Sequence, residues 1–176
     1  MKRRNAFFAS LILTALTAGS AMAQTGRVAL EGRGGFTLPQ NSLKADGASS
    51  GFSAGLDVMY NLHRHFTGYA GVSRDEFDGE FSSQGMQAGL KILPLAGSSV
   101  LPWVSAGAIG QKLNAGGANS DLGIGLEAGG GADFEVSPQF TITPGVRYRA
   151  YTAGFDVGEI SAHYLTVMLG AHLHLR

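Results

Sequence analysis

Cysteine is absent from the 176-residue sequence, which also lacks any excess of basic over acidic residues. Without cysteine no disulfide framework can form, so stability has to come from packing and backbone pairing alone. After residue 23 no stretch approaches the roughly 18 apolar residues of a transmembrane helix, which excludes a helical membrane span. The length suits one domain with its own core and is short for two.

The first 23 residues have the features of a secretory signal peptide. Basic residues at positions 2–4 precede an apolar run over residues 6–18, and the sequence Ala-Met-Ala ends the segment. Small residues on both sides of one variable residue are the pattern that signal peptidase cleaves. We therefore predict a signal peptide at 1–23 and a mature domain at 24–176.

The predicted mature chain is mildly acidic. Cleavage removes three of the 13 basic residues and none of the 13 acidic ones, which leaves 10 against 13 and a net charge of −3. Sequence-independent binding of nucleic acid needs a basic face, so the charge balance argues against nucleic acid as a partner. The 27 glycines are spread through the chain and have no collagen-like period.

Apolar and polar residues alternate with a period of two after residue 26, which is typical of β-strands with one buried face. In the second predicted strand, Phe52, Leu56 and Tyr60 share a face opposite Ser53 and Asp57. The third and fifth strands have no clear phase, and their faces stay unassigned. The alternation predicts eight strands, at 27–38, 51–62, 66–75, 83–93, 101–112, 121–136, 140–152 and 162–175.

The predicted connections alternate in length along the chain. Short connections lie at 63–65, 94–100 and 137–139, and long polar loops lie at 39–50, 76–82, 113–120 and 153–161. Short connections at one end and long ones at the other indicate an up-and-down meander, which has no room for crossover helices. Eight such strands are enough to close a barrel and remove the exposed edges.

Either face of this barrel could point inward: a soluble lipocalin-like binding barrel has an apolar interior, and a membrane barrel has an apolar exterior. The predicted strands match the roughly 9–11 residues of a tilted membrane-spanning strand. The polar face carries full charges of both signs, which suits a filled lumen. Apolar-face aromatics near strand ends are typical of interfacial girdles. These aromatics are Phe36, Phe52, Tyr60, Phe134 and Phe140. We therefore favour the membrane barrel.

Three segments resemble small outer-membrane β-barrel proteins of the OmpA/OmpX type. They are PWVSAGAIG (102–110), GLDVMYNLHRHFTGYAGVS (55–73) and LEAGGGADFEVSPQFTITPGVRYRAY (126–151). The resemblance spans the mature chain and implies an all-β fold, an eight-stranded antiparallel up-and-down transmembrane β-barrel. It also implies a Gram-negative outer membrane, periplasmic termini, extracellular loops and no cofactor. The implied partners are outer-membrane lipids, lipopolysaccharide and the barrel assembly machinery.

The carboxyl terminus departs from the pattern of that family. Its members usually end in an aromatic residue that the assembly machinery reads, whereas this chain ends His174-Leu175-Arg176. The departure weakens the expected insertion signal without removing the strand alternation.

The charged residues of the polar face form the main candidate site. They are Glu31, Arg33, Asp57, Lys91, Glu127, Asp133, Glu135, Arg147 and Arg149. A turn centred on Pro138 places Glu127 opposite Arg149, with Arg147 on the diagonal. Because buried charges need partners, we predict a structural network of ion pairs rather than an open pore. A narrow porin-like channel is the alternative.

Two further clusters have ligand types that bind metals, and we interpret both as polar surface. The histidines His63, His65, His172 and His174 are predicted to line a periplasmic mouth with Arg27 and Arg176. The segment 74–83 carries Asp75, Glu76, Asp78 and Glu80 around Gly79. Its spacing does not match an EF-hand, so an acidic solvated loop is favoured over a Ca²⁺ or Mg²⁺ site. We predict no metal ligands.

The predicted last loop holds the residue types of a hydrolytic triad, namely Asp156, Glu159, Ser161 and His163. Some outer-membrane barrels are lipid A deacylases, so a lipid-modifying hydrolase is a further alternative. Proximity in sequence gives no triad geometry, and we predict no catalytic residues. The sequence thus favours a monomeric, non-enzymatic outer-membrane barrel with a structural or adhesive role, which presents loops at the cell surface.

Overall fold

The structure is a computed structural model, and it describes residues 28–40, 43–44, 47–78, 81–95, 100–155 and 158–175. The predicted signal peptide and its cleavage site lie outside the described residues. So do Arg27, Gly79, Glu80, Asp156 and Arg176, which belong to clusters singled out in the sequence.

Strands make up almost all of the described chain. They are β1 (Val28–Gln40), β2 (Gly51–His63), β3 (Phe66–Phe77), β4 (Phe81–Ile92), β5 (Val100–Ala115), β6 (Ala118–Asn119), β7 (Gly123–Ser137), β8 (Phe140–Phe155) and β9 (Gly158–Leu175). The two-residue β6 folds back on the end of β5, and the other eight strands form the wall. Within the described residues, no helix has the length and apolar character to cross a membrane.

The wall is closed. Each long strand pairs antiparallel with its neighbours in the chain, and β1 pairs with both β2 and β9, so no long strand keeps a free edge. The predicted all-β, eight-stranded antiparallel up-and-down barrel is confirmed. The connections β1–β2, β3–β4, β5–β7 and β8–β9 lie at one end, called here the loop end. The other connections and the ends of the barrel wall at Val28 and Leu175 lie at the turn end.

Two of the predicted long loops are wrong. β3 continues to Phe77 and β4 begins at Phe81, and only residues 156–157 separate β8 from β9. The polar residues Glu76 and Asp78 are exposed, whereas the inward Phe77 and Ala153 are buried in the barrel interior. Backbone hydrogen bonding continues there regardless of side-chain polarity, so the strands run on where composition predicts loops.

Burial alternates along the strands in the inverse sense of a soluble barrel. On β7, the outward Ile124 and Leu126 are 78% and 70% exposed, whereas the inward Glu127 is 3% exposed. Phe36 and Phe52 lie on the outer face with ring centroids 4.8 Å apart. Apolar side chains therefore cover the outside, and polar side chains occupy the middle of the interior.

Trp103 is one of several large aromatic residues whose rings lie inside the barrel, with Tyr69, Tyr151 and Tyr164. It rests against Gly131 and Gly145, which pair directly across β7 and β8. A Cβ on Gly131 would lie 2.8 Å from Trp103 Cζ2, and a Cβ on Gly145 would lie 2.7 Å from the same atom. Glycine at both positions leaves room for the indole.

The two ends of the barrel interior differ. An apolar cluster fills the loop end, and its most buried members include Leu43, from the β1–β2 connection, and Leu113. A cavity of about 420 Å³ occupies the turn end, and side chains from all eight wall strands line it. Between the apolar cluster and this cavity lie the charged side chains.

Candidate functional site in the barrel lumen

Arg149 is the centre of the charge cluster nearest the loop end. Its Nε donates to Glu127 Oε2 at 3.0 Å, and its Nη1 donates to Asp75 Oδ2 and Ser73 Oγ, both at 2.9 Å. Tyr164 Oη donates to the same Asp75 oxygen at 2.9 Å. Arg149 is only 2% exposed. One guanidinium thus forms ion pairs with two carboxylates that are shielded from water.

Arg147 extends the cluster along β8 toward the turn end. Its Nη1 lies 3.3 Å from Glu127 Oε1 and 3.9 Å from Asp57 Oδ2. Tyr69 Oη donates to Glu127 Oε1 at 2.7 Å, and the Arg147 guanidinium lies 5.4 Å from the centre of the Tyr69 ring. Glu127 therefore receives hydrogen bonds from two arginines and one phenol.

Asp57 and Glu31 carry the network across β2 and β1. Arg33 forms an ion pair with Asp57, and Gln87 Nε2 donates to Asp57 Oδ1 at 2.6 Å. Glu31 Oε2 lies 2.7 Å from His172 Nε2. Both carboxylates have partners from more than one strand, which ties opposite parts of the wall together.

A second ion pair forms the floor of the turn-end cavity. Lys91 Nζ lies 2.7 Å from Asp133 Oδ2, and Thr143 Oγ1 donates to Asp133 Oδ1 at 2.9 Å. The Lys91 ammonium also lies 4.8 Å from the centre of the Trp103 ring, within the range of a cation–π contact. Lys91 is 4% exposed, so the pair is shielded from solvent.

The structure places eight of the nine predicted site residues inside the barrel, each buried and in an ion pair. The predicted pairing of Glu127 with Arg149 is observed in the β7–β8 register. Glu135 differs: it is exposed, it lines the turn-end cavity, and no ion pair joins it to another described residue.

Asp75 is the main residue that sequence reasoning misplaced. Its interpretation as part of a solvated acidic loop is wrong, because β3 runs through it and its side chain is fully buried against Arg149. Tyr69, Gly71, Ser73 and Asp75 alternate on one face of β3. That alternation was the available signal, and it identifies Asp75 once the phase of β3 is known.

The histidines do not assemble a metal site within the described part of the chain, where no group of three or more potential ligands converges. His63, His172 and His174 line the turn-end cavity. His172 pairs with Glu31, and His174 Nε2 lies 3.1 Å from Thr141 Oγ1.

Ser161 lies on β9 rather than in the predicted loop 153–161, and His163 lies on the same strand. Both face outward, on either side of the buried Ala162. His163 Nδ1 lies 2.8 Å from Tyr148 Oη. Asp156 lies outside the described residues, and Glu159, the other acid of the predicted set, is exposed on β9.

Solved barrels share this architecture. Neisserial surface protein A (NspA) is 18% identical, with a TM-score of 0.73 over 85% of this chain and 97% of that chain. The N-terminal β-barrel domain of Pseudomonas aeruginosa OprF is 16% identical, with a TM-score of 0.55 over 84% of this chain and 96% of that one. The fold is that of the small outer-membrane β-barrels.

A third solved structure agrees with this assignment of the fold. The outer membrane protein OprG from Pseudomonas aeruginosa is 14% identical, with a TM-score of 0.54 over 84% of this chain and 96% of that one. In sequence, no family model matches, and no curated protein matches either. The resemblance to the OmpA/OmpX type is therefore confirmed at the level of the fold.

Proposed function

We propose that the chain is an integral outer-membrane β-barrel with a closed lumen and a structural role, which holds its loop end at the cell surface. The observation that carries the proposal is the inverted burial: apolar side chains cover the outside, and paired charges lie buried in the middle of the interior. Monomeric soluble proteins rarely expose large contiguous apolar patches. Lipid is the environment that suits such a surface, and it is the partner we assign to it.

The proposal also includes an orientation and partners. The turn end, with the chain termini, faces the periplasm, and the loop end contacts lipopolysaccharide and the extracellular space. An adhesive role would use the loop end, where β5, β8 and β9 have 16, 16 and 18 residues and are the longest strands of the wall. The name of NspA, a surface protein, agrees with this placement. The barrel assembly machinery is the partner expected for insertion.

Fractionation tests the membrane assignment. We expect the protein to separate with the outer membrane and to migrate differently on a gel before and after boiling, because a closed barrel stays folded in detergent until it is heated. The charge network and the closed wall are the physical reason for that resistance. Recovery as a soluble periplasmic monomer with a single mobility would contradict the proposal.

Labelling with a membrane-impermeant maleimide tests the orientation, since the chain contains no cysteine of its own. Lys44, in the β1–β2 connection, and Gln139, in the β7–β8 turn, are both exposed at opposite ends of the barrel. We expect Lys44→Cys to react on intact cells and Gln139→Cys to react only after lysis. The reverse result would invert the barrel, and the unsubstituted protein is the blank.

A channel is the second candidate, favoured by the 420 Å³ cavity that opens the turn end. A continuous path would have to cross the Arg149 cluster and the apolar cluster around Leu43 and Leu113. We therefore expect no unitary conductance in planar bilayers. Steady single-channel currents that change when Glu127 is replaced by Gln would favour the channel instead.

A further inference from the structure

A second, smaller cavity lies deeper in the lumen than the turn-end cavity. Its volume is about 10 Å³, which is room for one water molecule. Six polar or charged residues and three largely apolar ones line it. They are Glu31, Asp57, Tyr69, Lys91, Ser105 and Arg147, with Met59, Trp103 and Met168. We call it the inner cavity.

Three of the residues that line the inner cavity each have one buried polar atom without a hydrogen-bond partner among the described residues. The atoms are Glu31 Oε1, Trp103 Nε1 and Arg147 Nε. All three side chains are at least nine-tenths buried. Glu31 Oε1 lies 3.8 Å from Arg33 Nη1, which is an ion-pair contact but beyond hydrogen-bond reach.

The chemistry of the three atoms matches one ligand. The indole and guanidinium nitrogens are donors only, and the carboxylate oxygen is an acceptor only. A buried polar group without a partner is costly, and internal waters in proteins make about three hydrogen bonds to groups of this kind. A metal cation does not suit the site, because Arg147 and Lys91 line it as well.

We propose that one buried water molecule binds in the inner cavity, where it accepts hydrogen bonds from Trp103 Nε1 and Arg147 Nε and donates one to Glu31 Oε1. Lys91 and Met59 line both this cavity and the turn-end cavity. They form the barrier between bound and bulk water. The lumen is thus hydrated from the turn end, and the barrier sets how fast that water exchanges.

Nuclear magnetic resonance of the folded barrel in detergent micelles tests the water site directly. Trp103 is the only tryptophan, so its indole N–H gives one unambiguous signal. We expect cross-relaxation between this proton and water, with the sign of a long-lived complex. The control is the backbone N–H of Leu169, an outward residue of β9 that pairs with Gly34 and Pro144 and has Met168 and Gly170 beside it, so none of these side chains carries a proton that exchanges with water. An indole proton that correlates only with protein protons would overturn the proposal.

Exchange of the indole proton with D₂O tests the barrier. Met59→Ala removes an apolar part of the barrier and leaves no charge unpaired. We expect indole exchange about tenfold faster, because opening the barrier no longer requires local unfolding of the wall. The matched control is Met86→Ala, on the outer face of β4, which is 59% exposed and is expected to leave the rate unchanged. Equal indole exchange rates in the two variants would contradict the proposed barrier. This outcome does not depend on whether the membrane assignment is correct.

Discussion

Arg149→Leu is expected to lower the free energy of unfolding by about 3–5 kcal/mol, because removing one partner of a buried ion pair leaves an uncompensated charge. Here the loss is shared by two carboxylates, since Arg149 contacts both Glu127 and Asp75. Leucine restores neither the charge nor the hydrogen bond to Ser73. Urea titration of the barrel in lipid vesicles, followed by gel mobility and by the fluorescence of Trp103, measures the change.

Compensating substitutions distinguish a stability loss caused by unpaired buried carboxylates from one caused by lost packing. We expect Glu127→Gln to recover part of the Arg149→Leu loss, and Asp75→Asn in the same background to recover a further part. Neighbours in one network are coupled, so these effects do not add as independent ones would. If Glu127→Gln adds its own full loss to that of Arg149→Leu, the two residues act independently and the network has no cooperative role.

The matched control for Arg149 is Arg74, on the outer face of β3. Arg74 Nη2 lies 2.7 Å from Glu76 Oε1, a distance shorter than either Arg149 ion pair, but both side chains are 61% exposed. Exposed ion pairs contribute about 0–1 kcal/mol. Arg74→Leu should therefore leave the unfolding midpoint almost unchanged, and a loss as large as that of Arg149→Leu would mean that burial is not the cause.

The β7–β8 hairpin could be predicted from sequence to the level of residue pairs. Pro138 marks the turn, and both strands alternate clearly, so the position of the turn fixes which residues oppose each other. Glu127 and Arg149 follow directly from it. A β-bulge between Glu135 and Ser137 shifts the register only beside the turn, so the pairing of Glu127 with Arg149 is unaffected.

β3 and β5 could not be assigned, because their two faces have similar polarity. On β5 the outer face carries the small Ala106 and Ala108, and the inner face carries Trp103 and Ile109. The two faces therefore have similar hydrophobicity, and the sequence does not show which face points inward. Asp75, Tyr69 and Trp103, which the sequence pattern did not place in the lumen, come from these two strands. Their positions in the lumen depend on contacts with side chains of other strands, and the local sequence pattern does not contain this information.

If the barrel lies in a membrane, a charged residue on its outer face should lower its stability, whereas the same substitution on a soluble barrel should have little effect. Val146 is 43% exposed on the outer face of β8, and it pairs with Gly130 and Val167 near the middle of the neighbouring strands. An arginine on the lipid face near the middle of a bilayer costs about 2–4 kcal/mol. We expect Val146→Arg to lower the free energy of unfolding from vesicles by that amount and to reduce the folded fraction on unboiled gels.

The control for Val146→Arg is an arginine substitution near the rim of the barrel. Ser82 faces outward on β4, and its cross-strand neighbours are Glu76 and Asn114, so an arginine there finds polar partners. Near the membrane interface the cost falls to about 0–1 kcal/mol. In water the ranking disappears, since surface substitutions change stability by less than about 0.5 kcal/mol. Equal stability of Val146→Arg and Ser82→Arg would mean that the apolar exterior is not in lipid, and the inverted burial would then need another cause.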